Sequence, residues 1–385
     1  MLRDISRTGL TCRPRPMADG RSGFTIIELL VAMSLVILIM SILAGAFQVG
    51  LETFSKLKAI GDMSDRLRAA AHQIRNDLRN DHFEGAVRLS DPTIINQRVR
   101  EGFFMIKQFG PSGKEGDSDG IGSFRAPIPG QGSQALYMTV KLKGNRKENF
   151  FGASAIGSPL LAASTTFFNQ PAEARNQDVP GNIYMSQWAE VAYCLKPLNN
   201  SAGVQLTANG TPLFSLHRII KVLIADNRLV NQLVANNATN ITAHSGFSYT
   251  AAGANFYFNT PLDVTDPTKR SISLATDPST TAAVPEANVS TLLLSDVVSF
   301  DIQIVPAPQL PPPPGPPPAN SPTLNFGYPA GTVLDFIDVP GGSYDTGANA
   351  PNGTPPFGIL AVQITLRVWD LRTQQTRQVT ILQDM

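Results

Sequence analysis

A chain of 385 residues that is 42% hydrophobic and 16% charged holds enough apolar material for one large or two modest folded domains, which excludes disorder throughout. Its 31 basic and 30 acidic residues leave a net charge of +1, so no global field points to nucleic acid or to acidic substrates. The 31 glycines and 30 prolines point to a turn-rich β domain with long connections, and Cys12 and Cys194 alone make no disulfide framework.

Residues 1–23 carry Arg3, Arg7, Arg13, Arg15 and Arg21 against Asp4 and Asp19. From Phe24 to Phe47 the sequence reads FTIIELLVAMSLVILIMSILAGAF, long enough at about 1.5 Å per residue to cross a hydrocarbon core of about 30 Å. Arginines before the run and a mixed flank after it predict a cytoplasmic N-terminus and export of the remainder. The one ionisable side chain within the run is Glu28, and a carboxylate at that depth is costly enough that it usually marks a function or a partner. The plainer alternative places it close enough to the interface to reach water.

The stretch GFTIIELLVA resembles the class III signal of type IV prepilins and type II secretion pseudopilins. The resemblance implies a leader peptide over 1–23, cleavage after Gly23 by a prepilin peptidase, and N-methylation of the new terminal Phe24. It also gives Glu28 a role in filament assembly, with other pilin-like subunits, an inner-membrane assembly platform and membrane lipid as partners. The chemistry suits the spacing. A cut after Gly23 leaves a positive amine on Phe24 at the head of an apolar helix, and burying it is expensive unless a carboxylate such as Glu28 of a neighbouring subunit neutralises it. Cys12 would be lost with the leader, leaving Cys194 in WAEVAYCL as a small buried hydrophobe. The same resemblance implies a single-pass inner-membrane protein with its large domain in the periplasm, later part of a periplasmic or extracellular filament.

Two other readings of the run stay open. One is an ordinary single-span anchor. The other is a secretory signal with Ala44-Gly45-Ala46 as its A-x-A site, against which stand the length of the run and the acid inside it.

Beyond the run, Leu57, Ile60, Met63, Leu67, Ala71, Ile74 and Leu78 recur at three- and four-residue steps, and no proline falls between Pro16 and Pro92. One helix is therefore expected over 24–80, crossing the membrane at 24–47 and amphipathic over 48–80. Any bend in it would rest on Gly45 or Gly50.

Residues 81–385 read as an exported β-rich domain. Leu136, Met138, Val140 and Leu142 alternate with Tyr137, Thr139, Lys141 and Lys143 as a half-buried strand. Strands are also expected over Ala189–Leu195, over Leu213–Ile220 and in VVSFDIQIV. A last hairpin has Leu360, Val362, Ile364, Leu366 and Val368 on one face, a turn over Asp370–Thr376 and a return strand over Arg377–Leu382. Polar insertions fill 144–182, 236–290 and 306–357, with a polyproline II run at 306–319. One long helix followed by such strands predicts an α+β fold, antiparallel strands laid on the helix, and the resemblance makes it a pilin-like fold with a long, half-protruding helix. The order WAEVAYCL, LFSLHRII, LLLSDVVSFDIQIV, AVQITLRVWD and RQVTIL is similar to the J-type minor pseudopilins and W-type minor pilins, and to protein C of the Verru_Chthon cassette.

Motifs for chemistry are sparse. His72, His82, His217 and His244 show no ligand spacing, and His217 reads as a partly buried structural residue. Asp117 and Asp119, with Glu115, are weak calcium candidates in GKEGDSDGIG, where a solvated acidic turn is the commoner meaning. Ser55 and Lys58 form an isolated SxxK; no GxSxG elbow, phosphate-binding loop or GxGxxG is present. Lys141, Lys143, Arg146 and Lys147 are read as solvated charges, not as a DNA site. No cofactor and no catalytic residue is expected. The resemblance implies a minor pilin or pseudopilin that initiates or caps a filament; the alternatives are an adhesin or ligand-binding protein carried on a pilin-type helix, and a secreted hydrolase with a conventional signal peptide.

Overall fold

A single α-helix, α1 (Ile26–Arg79), opens the computed structural model. The structure describes residues 24–85, 87–91, 94, 99–108, 134–154, 183–225, 246–252, 255–272, 289–308, 336–347 and 357–385. The chain forms two compact units, Met1–Lys58 and Ala59–Met385.

In the first unit α1 runs unbroken through Gly45 and Gly50, and every described residue is exposed. From Phe24 to Leu51 its side chains are apolar on all sides apart from Glu28 and a few small polar groups. A helix apolar all round has no watery side and needs lipid or other helices about it, and by length and composition this one can cross a membrane as a single span or a signal anchor. Leu57, expected on the packed stripe, is exposed. The buried stripe starts later, at Met63, and continues through Leu67, Ala70, Ala71, Ile74, Asp77 and Leu78.

The second unit packs residues 59–79 of α1 against one face of a sheet. Its strands are β1 (Phe104–Gln108), β2 (Gln134–Lys141), β3 (Phe151–Ser154), β4 (Ile183–Ser186), β5 (Trp188–Pro197), β6 (Thr207–Ala208), β7 (Thr211–Pro212), β8 (Phe214–Val222), β9 (Tyr249–Ala252), β10 (Asn255–Phe258), β11 (Ser290–Pro306), β12 (Ser343–Asp345), β13 (Ile359–Asp370) and β14 (Gln375–Asp384). Eight of them form one curled antiparallel sheet in the order β12-β1-β2-β5-β8-β11-β13-β14, and β3 with β4, β6 with β7 and β9 with β10 form small ribbons. The expected α+β layout is what the chain adopts.

Period-two alternation places the core. Ile106, Leu136, Met138, Val191, Tyr193, Leu216, Phe300, Ile302, Ile364 and Leu366 share a cluster with the α1 stripe. The second face is covered as well. There Ala135, Tyr137, Trp188, Ala192, Cys194 and Ile219 pack with Phe103, Val264 and Ile272. The half-buried reading of β2 is thus corrected: its two faces are both buried up to Val140, because a layer built partly from residues 258–272 lies on the side expected to meet water.

β11 begins well before VVSFDIQIV. Its first half, from Ser290, pairs with β8, while Val297–Pro306 pairs with β13. Register shifts flank the change of partner, and Asp296 there has φ 58°. Such bulges bend a strand and add twist. The last hairpin forms as expected with a shorter turn: Asp370 pairs with Gln375, and Gln374 N–H donates to Asp370 O at 2.8 Å.

One glycine is required in the connection from α1 to β1, where the chain passes β2. Gly102 has φ +85°, and a Cβ there would lie 2.1 Å from His82 O and 2.6 Å from Thr139 Oγ1. That close approach lets the Thr139 hydroxyl donate to His82 O at 2.6 Å and accept from Phe103 N–H at 2.9 Å.

Candidate functional site

The helix start is built by local chemistry. Phe24 and Thr25 precede the first helical residue, Ile26. Thr25 O accepts from Glu28 N at 3.1 Å and from Leu29 N at 3.2 Å, and Thr25 Oγ1 lies 3.4 Å from Glu28 N. Thr25 is therefore the N-cap and Glu28 the third helical residue, the T-x-x-E spacing of a capping box. Phe24 and Leu29 occupy the two positions of a hydrophobic staple. Glu28 is also the acid of the first turn, where the helix dipole favours negative charge. The cap is a role that sequence reasoning missed, although the threonine-to-glutamate spacing was there to be read. The cap bonds the Glu28 backbone N–H, so the local use of the carboxylate is its charge beside the helix N-terminus.

Around this acid the surface is uniformly greasy. Phe24 is 79% exposed, Ile26 83% and Ile37 67%, and the next charged residue after Glu28 is Glu52. Gly23, the residue before the expected cut, lies outside the described residues, as do Asp117, Asp119, Glu115, His244 and residues 309–319 of the expected polyproline run, whose first residue, Pro306, instead ends β11 in register with Ile359.

The remaining candidates do not converge. Ser55 and Lys58 stand on exposed helical turns, and His72 is exposed on α1. His82 is buried, its Nδ1 2.8 Å from Thr139 O and its Nε2 3.3 Å from Leu78 O. His217 is half-buried in β8, held by Ser290 Oγ at 2.8 Å and Ser215 Oγ at 3.0 Å, the structural role expected of it. Cys194 is a buried thiol outside any disulfide. Among the described residues no group of three or more His, Cys, Asp or Glu is placed to hold a metal ion.

Two buried ionic clusters were not anticipated. On the helix side, Asp77 accepts from Arg218, Tyr193 Oη at 2.5 Å and Gln73 Nε2 at 3.1 Å. Burial, and then the neighbouring Asp77 charge, pushes the Tyr193 hydroxyl well above its ordinary range. On the other face Arg270 makes a two-point pair with Asp345, at 2.7 and 2.9 Å, while its guanidinium lies 3.8 Å from the Phe103 ring centroid. Glu190 and Lys221 sit opposite each other in the β5/β8 register, both fully buried. Ser248 donates to Glu190, and Lys221 Nζ reaches Ser271 Oγ at 2.6 Å. Burial raises the Glu190 carboxyl, an effect that Ser248 and Lys221 only partly offset. Each cluster ties a covering element to the sheet, and charges so satisfied fix one packing arrangement.

The arrangement ties these polar and ionic groups to one another within the fold. What it presents is an apolar helix with one acid at its capped start, on a chain whose other unit is a helix-backed antiparallel sheet. No family model, no curated protein and no solved structure matches the chain.

Proposed function

We propose that the chain is a minor subunit of a type II secretion-like or type IV pilus-like filament, in which α1 first anchors the protein in a membrane and then packs among the helices of neighbouring subunits. One observation carries this: over residues 24–58 the helix is exposed on every side, and its only charge before Glu52 is Glu28, four residues after Phe24. An all-round apolar helix can exchange lipid for other apolar helices at little cost in solvation, since both surroundings are dry. The single acid then supplies register. Cleavage after Gly23 by a prepilin peptidase would place an amine on Phe24, and Glu28 of an adjacent subunit is the partner that lets this charge enter the packed helices. The large second unit, with its long insertions, suits a tip, where nothing stacks above it.

The test is the N-terminal peptide of the protein purified from its native membranes. A peptide beginning at a methylated Phe24, with other pilin-like subunits recovered in the same pull-down, is the expected result. A mature terminus at Phe47 would remove the helix from the working protein and end the proposal.

A further inference from the structure

At the far end of β2 and β5 lies a cleft of about 270 Å³ whose lining includes Glu84, Glu101, Lys141, Trp188 and Pro261. Its walls are fixed by backbone hydrogen bonds: Gly102 N–H to Pro261 O at 2.8 Å, Glu84 N–H to Glu101 O at 3.3 Å and Leu142 N–H to Gln187 O at 2.9 Å. Lys141 extends across it, with Nζ 4.9 Å from the Trp188 ring centroid and paired with Glu84. Trp188 is only 4% exposed under this cover.

Two carboxylates and one ammonium line the cleft, one acidic group in excess, and only Glu84 is paired with Lys141. The Glu101 carboxylate has no hydrogen bond or ion pair among the described residues, and burial, then the nearby Glu84 charge, raises it. Lys141 is in effect the chain's own ligand: an ammonium on a methylene stem, seated on an indole face against a carboxylate, a combination of cation–π and charge-assisted contacts. We propose that the cleft is a binding site for an alkylammonium group, which takes the seat of Lys141 on Trp188 and Glu84 and is held from its open side by Glu101. The shared chemistry is a primary ammonium on an apolar stem, whether a free amine or a lysine side chain of another protein. The site is independent of the filament proposal and stands or falls without it.

The experiment is titration of the full chain, in non-ionic maltoside micelles, with n-butylammonium, with N-acetyl-lysine methylamide and with n-butanol, followed by calorimetry and saturation-transfer NMR. Both cations should bind with a dissociation constant on the order of 1–10 mM, and butanol should not. Glu101→Gln should weaken binding about tenfold, and Lys141→Ala, which vacates the seat and removes the competing charge, should tighten it about tenfold. Tighter binding of the lysine derivative than of butylammonium would assign the site to a protein side chain; equal binding would assign it to free amines. Absence of saturable binding to both the wild type and Lys141→Ala, or binding that Glu101→Gln leaves unchanged, would overturn the proposal.

Discussion

Asp77 of α1 and Arg218 of β8 form a two-point ion pair, Nε to Oδ2 at 2.7 Å and Nη2 to Oδ1 at 2.9 Å, with side chains 3% and 13% exposed. It joins the helix to the middle of the sheet, where Tyr193 Oη and Gln73 Nε2 also donate to Asp77. Removing one partner of such a pair leaves the other charge buried alone, which costs about 3–5 kcal/mol, whereas replacing both by apolar groups can be nearly neutral. We expect Asp77→Ala to lower the stability of the protein by about that amount in denaturant unfolding, and Asp77→Leu with Arg218→Met to recover most of it. Equal stability of wild type and Asp77→Ala would show that the pair contributes nothing to holding the helix on the sheet.

Thr25 bonds the backbone N–H of residue 28 whatever side chain stands there, so the cap and the charge of Glu28 can be separated. Glu28→Gln and Glu28→Leu should both leave the helix start formed and both block incorporation into filaments. Filament assembly by Glu28→Gln at the wild-type level would mean that the charge has no part in assembly.

The His217 imidazole is pushed down to about 4 from an ordinary 6.5 by burial, with the Lys196 ammonium adding to it. Between those values the unfolded chain takes up a proton that the folded chain refuses, so stability from this group is full above pH 6.5 and falls as the pH drops toward 4. Burial pushes His82 the same way. Glu190 acts in the opposite sense, because its raised carboxyl contributes below its ordinary value of 4.5 and loses that contribution as the pH rises. Comparison of wild type with His217→Asn isolates the first effect. We expect the difference in unfolding free energy to narrow, from pH 7 to pH 4, by about 1–2 kcal/mol once the partial exposure of the ring is allowed for. A pH-independent difference would refute the assignment.

Gly102→Ala should destabilise the second unit by about 3 kcal/mol, since the added methyl both opposes a positive φ and drives into the Thr139–His82 contact. Thermal unfolding measures it. Gly203→Ala is the control, for Gly203 also has positive φ, +78°, with open space about its Cβ position, so strain acts there without the clash. Similar losses at both positions would reduce the Gly102 effect to backbone strain alone.

Much of the architecture could be read from residue order. Three- and four-residue steps located α1 to within a few positions, and period-two alternation found β2, β5, β8, β13 and the core half of β11. Leu57 was misplaced because helical spacing shows which residues share a stripe but not where along the helix the packing begins. The early start of β11 escaped because Ser290–Asp296 pairs across bulges with β8, and a bulge breaks the alternation that reveals a strand. Thr25 was legible as a cap and was overlooked beside its conspicuous neighbour.

Sequence alone determined the local terms: an apolar run with one acid, a capped helix start, and alternating strands whose periods follow from backbone geometry. Tertiary structure alone decided which charges meet. Asp77 and Arg218 are 141 residues apart, Arg270 and Asp345 are 75, and Glu190 faces Lys221 only through the β5/β8 register. Ion pairing depends on distance and burial in space, and neither is fixed by spacing along the chain until the sheet has curled around the helix and its second face has been covered.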